Sequence, residues 1–186
     1  KTANLKVAET ISINNLQNLE FVDGQKYNCK YLVFENLPKL RSLTFWELQV
    51  NNYEIKNLAS LEELVCGNLI VSSFIIDSKF NCPLLSKIAL TGNDVDIDKI
   101  EISSLQNLVE LTLGGFNIKT DTSVILKNLQ KISLVRFTAI NRLIDLSQLK
   151  QLTSIAYFSP KFDGFFFSDF QILQFLALDN IPEKSS

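Results

Sequence analysis

One short pattern recurs from end to end of this 186-residue chain, and it restricts the fold more than any single residue does. A leucine pair opens NLQNLEFV at 15–22, NLPKLRSL at 36–43 and NLASLEEL at 57–64, a strict step of 21 residues. The register continues through NCPLLSKI at 81–88, SLQNLVEL at 104–111, ILKNLQKI at 125–132, QLKQLTSI at 148–155 and DFQILQFL at 169–176, in steps of 21 to 24. The unit reads apolar-x-apolar-x-x-Leu-x-x-Leu-x-x-Leu-x-apolar, as in Phe34 to Phe45, Ile55 to Cys66, Ile102 to Leu113 and Leu146 to Tyr157, each preceded by another apolar residue two positions back. Alternation in Leu43-Thr44-Phe45 or Leu111-Thr112-Leu113 is strand periodicity, and the three-residue spacing before it suits irregular or 3₁₀ structure leading into the strand. One such unit cannot bury its own apolar face, so neighbouring units must stack into a quasi-one-dimensional core.

The spacing resembles the leucine-rich-repeat family. Its signature runs through Leu108, Leu111 and Leu113, and through Leu85, Ile88, Leu90 and Asn93; Ile144-Asp145-Leu146-Ser147 matches the strand segment of short 21-residue repeats. The resemblance implies a right-handed superhelix with a parallel β-sheet on the concave side, a mostly extended or 3₁₀ convex side, and a binding role. It covers nearly all of the chain, read as a single domain of about eight repeats over residues 1–186 and as a segment of a longer protein. The family's asparagine position departs from the pattern: Leu48, Leu69, Phe116, Phe137, Pro160 and Ile181 occupy it, and only Asn93 fits. Val50, Val71 and Ile118, two residues on, point to a further extended segment per turn and a cross-section approaching a three-sided β-helix.

In the Leu-x-apolar strand the middle residue and its flanks face solvent. The middle column is Asp23, Thr44, Val65, Ala89, Thr112, Ser133, Ala156 and Ala177, mostly small, a shallow floor for another surface. The column before it is Phe21, Ser42, Glu63, Lys87, Glu110, Lys131, Ser154 and Phe175. Its alternating charges suit a self-neutralised ladder first and a partner-matched pattern second. The column after it is Gln25, Trp46, Gly67, Thr91, Gly114, Val135, Phe158 and Asp179, where Trp46 and Phe158 have the character of interface anchors unless a flanking segment covers them. The candidate ligand-binding residues are therefore Trp46, Phe158, Thr44, Glu63, Val65, Lys87, Glu110, Thr112, Lys131 and Val135.

Several chemistries are disfavoured. With no histidine, the commonest general base and metal ligand are missing. Cys29, Cys66 and Cys82 are odd in number and fall at core positions of the repeat (aligned with Val50, Phe45 and Leu58), so they read as packed, reduced thiols. Asn93-Asp94-Val95-Asp96-Ile97-Asp98 fails as an EF-hand, since the sixth and twelfth positions from Asp94 are Lys99 and Leu105; Val95 and Ile97 read as inward residues of a strand. No phosphate loop or nucleophile elbow occurs. Neither an enzyme, nor a metal, nor a cofactor is expected.

A net charge of −2 with mixed signs speaks against nucleic acid, and no apolar run suits membrane insertion. KTANLKVAET has no signal-peptide core, and it lacks an initiator Met, as a processed or excised chain would. Reduced thiols and the absence of an N-glycosylation sequon weakly favour a reducing intracellular compartment, with a bacterial cell surface as the alternative. In the last third, register turns Phe165, Phe167 and Phe170 inward, and leaves Phe166, with Phe162, as an apolar patch. The expected function is a protein-interaction module, as a monomer or part of a longer chain, with another protein as partner. A structural solenoid segment and a carbohydrate-binding surface are the alternatives.

Overall fold

The computed structural model describes residues 8–76, 80–102, 105, 107–118, 123–124, 131–135, 143–145, 153–158, 164–166 and 173–179. The strands in chain order are β1 (Ala8–Asn14), β2 (Phe21–Glu35), β3 (Ser42–Lys56), β4 (Glu63–Cys66), β5 (Leu69–Ile70), β6 (Ser73–Ile76), β7 (Lys87–Ile97) and β8 (Lys99–Ile102). They continue as β9 (Glu110–Ile118), β10 (Ser123–Val124), β11 (Lys131–Val135), β12 (Leu143–Asp145), β13 (Ser154–Phe158), β14 (Gly164–Phe166) and β15 (Phe175–Asp179). Every pairing among them is parallel and no helix occurs among the described residues, so the chain is a β-rich parallel solenoid of stacked repeats.

The path of one turn follows from the spacing of its apolar residues. In β3, Leu43 and Phe45 are buried, then Leu48 and Val50, and Ile55 is buried beside half-buried Tyr53. Within each pair the spacing is two, as in a flat strand; between pairs it is three, which puts two successive residues outside and bends the chain. Trp46-Glu47 and Asn51-Asn52 are these corners. A turn thus has a first side (Leu43, Phe45), a second (Leu48, Val50) and a third (Tyr53, Ile55), and is closed by the Leu58–Leu61 segment. The extended second segment expected from Val50 and Val71 is present, with Leu48 opposite Leu69.

The closing side is made of isolated turns whose hydrogen bonds span three residues, the spacing that 3₁₀ structure uses. Among the described residues the Leu-x-x-Leu segments make a single turn, the second leucine's N–H donating to the carbonyl three residues back: Leu40 to Leu37 (3.2 Å), Leu61 to Leu58 (3.1 Å) and, with cysteine in the first place, Leu85 to Cys82 (3.2 Å).

Entry into this turn requires a left-handed residue, and asparagine supplies it. Asn15, Asn36, Asn57 and Asn81 have φ of 55°, 55°, 54° and 43°. Asparagine tolerates that region better than other residues with a Cβ. Their amides form a ladder: Asn36 donates to Asn15 (3.3 Å), Asn57 to Asn36 (3.0 Å) and Asn81 to Asn57 (3.2 Å). An asparagine ladder therefore exists, but at the residue before the first leucine and not at the family position tested in the sequence.

The core is a set of columns along the axis. Leu43, Leu64, Ile88 and Leu111 are at most 1% exposed, as are Leu37 with Leu58 and Leu40 with Leu61. Each such side chain contributes about 1.5–3 kcal/mol relative to exposure. The first side is continuous in register through β2, β3, β4, β7, β9, β11, β13 and β15.

The other two sides are interrupted where the 21-residue step lengthens. β6 pairs with β8 and not with the third side of β3. There the Tyr53 ring stacks on Phe74 (5.4 Å between centroids), and its hydroxyl donates to the Ile75 carbonyl (3.1 Å) while accepting from the Ile75 N–H. On the second side β7 pairs with β9 across an irregularity between Thr91 and Val95, and β5 pairs only with β3. Inserted residues shift the ladder register locally while the first side stays aligned.

Candidate functional site

The outward columns on the first side are those the repeat predicts. Asp23 lies opposite Thr44, Thr44 opposite Val65, Val65 opposite Ala89, and Ala89 opposite Thr112. Thr44, Val65, Ala89 and Thr112 are all half-buried, because short side chains on adjacent strands shade one another. The result is a surface of low relief. Beside it Lys87 bonds Glu63 at 2.6 Å and lies in register with Glu110. The Glu63 hydrogen bond raises the Lys87 pKa first, burial opposes it, and the charges of Glu63 and Glu110 add to the rise. Glu63 and Lys87 thus satisfy each other, which is the self-neutralised arrangement. Lys131 continues this column opposite Glu110 and Ser154, and Val135 follows Gly114 in the next; their side chains lie outside the described set.

Trp46 is outward, as its register requires, and 68% exposed. It occupies the corner between the first and second sides, where Phe45 before it pairs with Gly24 and Cys66 and Glu47 after it pairs with Lys26. In its column the next position is Gly67, whose N–H donates to the Phe45 carbonyl at 2.7 Å. A Cβ on Gly67 would stand 2.7 Å from the Trp46 carbonyl oxygen, so the close approach needs glycine there. Gly114, expected outward, is buried, since it carries no side chain to rise above its neighbours. Phe158 belongs to the Trp46 column through its pairing with Val135; its side chain lies outside the described set. Five strand steps, through Gly67, Thr91, Gly114 and Val135, separate the two, roughly 24 Å of sheet. Positions 46 and 158 therefore lie far apart in one column.

The corner is a groove of about 440 Å³ lined by Gln25, Lys26, Trp46, Glu47 and Asn68. Lys26 and Glu47 pair at 2.5 Å. Asn68 holds a left-handed backbone (φ 44°) that carries the chain round the corner into β5. Of Trp46's polar neighbours in sequence, Glu47 lines the groove, whereas Gln49 belongs to the second side and accepts a hydrogen bond from Asn28 at 3.2 Å. Gln25, Lys26 and Asn68 come from adjacent turns. The signal for them was the step of 21 applied to positions 46 and 47.

The thiols are core groups. Cys29 pairs with Val50 and Cys66 with Phe45, and all three cysteines are buried and free. Burial pushes Cys66 and Cys82 up to about 12 and raises Cys29 as well. Ile97 is fully buried and Val95 half-buried, with Asp96 and Asp98 outward, as the alternation indicated. Among the described residues no group of three or more acidic or cysteine side chains is placed to hold a metal, and no helix is long and apolar enough to cross a membrane. Phe162, Phe167 and Phe170 lie outside the described residues; Phe165 and Phe166 pair with Ile144 and Asp145 in β14, without described side chains. Comparison with family models, curated proteins and solved structures gives no match to this chain.

Proposed function

We propose that this solenoid is a protein-interaction module, leucine-rich-repeat-like in its rhythm, with the first side as its concave, partner-facing surface. One observation carries the reading. A register-perfect column of half-buried small residues (Thr44, Val65, Ala89, Thr112) has an exposed tryptophan standing at its margin. Low relief lets a second surface approach closely, and an exposed tryptophan is the kind of residue that anchors protein contacts. Glu63, Lys87 and Glu110 border the floor and set polarity at its rim, with Lys131, Val135 and Phe158 continuing the same columns. The reading assigns no catalytic step.

The test is retention of a partner from a lysate of the source cells by the immobilised chain and by a Val65→Arg/Thr112→Arg variant. Both positions are outward, so the variant keeps its fold, which circular dichroism verifies. A partner kept by the wild type and lost by the folded variant supports the proposal. Equal recovery by both, or no partner with either, refutes it.

A further inference from the structure

We propose that the Trp46 corner, at the margin of the floor of the first side, also binds a neutral saccharide. The indole is open, with glycine as its next neighbour along the column. A pyranose ring offers a face of C–H groups, slightly positive, that complements the negative face of an aromatic ring. Its rim is a set of hydroxyls, each able to donate and accept. The groove supplies the matching partners: Gln25 and Asn68, whose amides both donate and accept, and the Glu47 carboxylate, which accepts.

Charge selects among ligands. Lys26 and Glu47 neutralise each other at 2.5 Å, so the groove offers no net charge to a phosphate, a sulfated sugar or a strongly charged peptide. Its volume of about 440 Å³ lies in the range of small-ligand sites. The polar groups come from three successive turns (Gln25; Glu47; Asn68), with Glu47 held in register opposite Lys26 and Asn68 set at the bend that leads into β5.

The chain contains one tryptophan, so its indole emission reports on this corner alone. Titration with neutral oligosaccharides (maltotriose, cellotriose, chitotriose and mannotriose) is expected to give a saturable emission change with at least one of them. Calorimetry with that sugar should show binding abolished in Trp46→Ala and weakened several-fold in Asn68→Gly, which keeps the left-handed backbone. Val65→Arg/Thr112→Arg should bind the sugar as the wild type does, separating this site from the protein-binding proposal. No saturable response to any of the four sugars overturns the inference, as does sugar binding that survives Trp46→Ala. Saturation by an uncharged proline-rich peptide and by none of the sugars would overturn it too, and would assign the groove to a protein ligand.

Discussion

Replacing Asn57 separates the two jobs given to the asparagine ladder. Its side chain donates to Asn36 at 3.0 Å and accepts from Asn81 at 3.2 Å, and its backbone sits at φ 54°. In Asn57→Ala both hydrogen bonds go, at roughly 0.5 kcal/mol each because the column is exposed to water. Alanine in the left-handed region adds roughly 1.5 kcal/mol. The sum is about 2.5 kcal/mol, a large share of a typical stability of 5–15 kcal/mol. Asn57→Gly loses the same bonds but accepts the backbone freely, leaving about 1 kcal/mol plus a few tenths of chain entropy. With a urea slope near 2 kcal/mol/M, the midpoint should fall by about 1.2 M for alanine and about 0.6 M for glycine. The assay is urea unfolding followed by circular dichroism, with slopes compared so that a change in cooperativity is seen. A glycine variant as unstable as the alanine variant would refute the role of the left-handed backbone. An alanine variant within about 0.5 kcal/mol of wild type would refute the ladder as well.

Leu111→Asp should abolish the cooperative thermal transition, because an unpaired carboxylate would enter a position 1% exposed, whereas Trp46→Ala should melt within a few degrees of wild type; equal losses would invert the assignment of faces. Tyr53→Phe keeps the stack on Phe74 but removes the hydroxyl that serves both backbone groups of Ile75, so it should cost about 1–3 kcal/mol and raise the hydrogen-exchange rate of the Ile75 amide; unchanged exchange there would contradict the bridging role. Cys66 and Cys82 titrate near 12 when folded against an ordinary 9.0, so the unfolded chain ionises first as pH rises. Stability should hold below pH 9 and then fall by about 1.4 kcal/mol per pH unit per thiol towards pH 12, and a thiol reagent at pH 8 should modify them only in denaturant; rapid labelling of the folded protein would count against the burial.

The sequence by itself determined which residues face in and which face out on the first side. A two-residue alternation after two leucines at fixed spacing leaves no other register that buries every apolar column. Leu43, Leu64, Ile88 and Leu111 fell into one buried column, and Thr44, Val65, Ala89 and Thr112 into one outward column, for that reason. The exposure of Trp46 and the burial of three cysteines followed from the same arithmetic. The ladder asparagines stand in plain view at 15, 36, 57 and 81, yet their role depends on a left-handed backbone, which side-chain periodicity does not report. Only the tertiary structure decided where the sheet breaks. Added residues shift register locally, and whether a bulge, a tyrosine hydroxyl or a new sheet absorbs the shift depends on the neighbouring turn. The Trp46 groove is tertiary in the same sense: Gln25, Glu47 and Asn68 lie 21 or 22 residues apart, and only stacking at strand spacing makes them one surface.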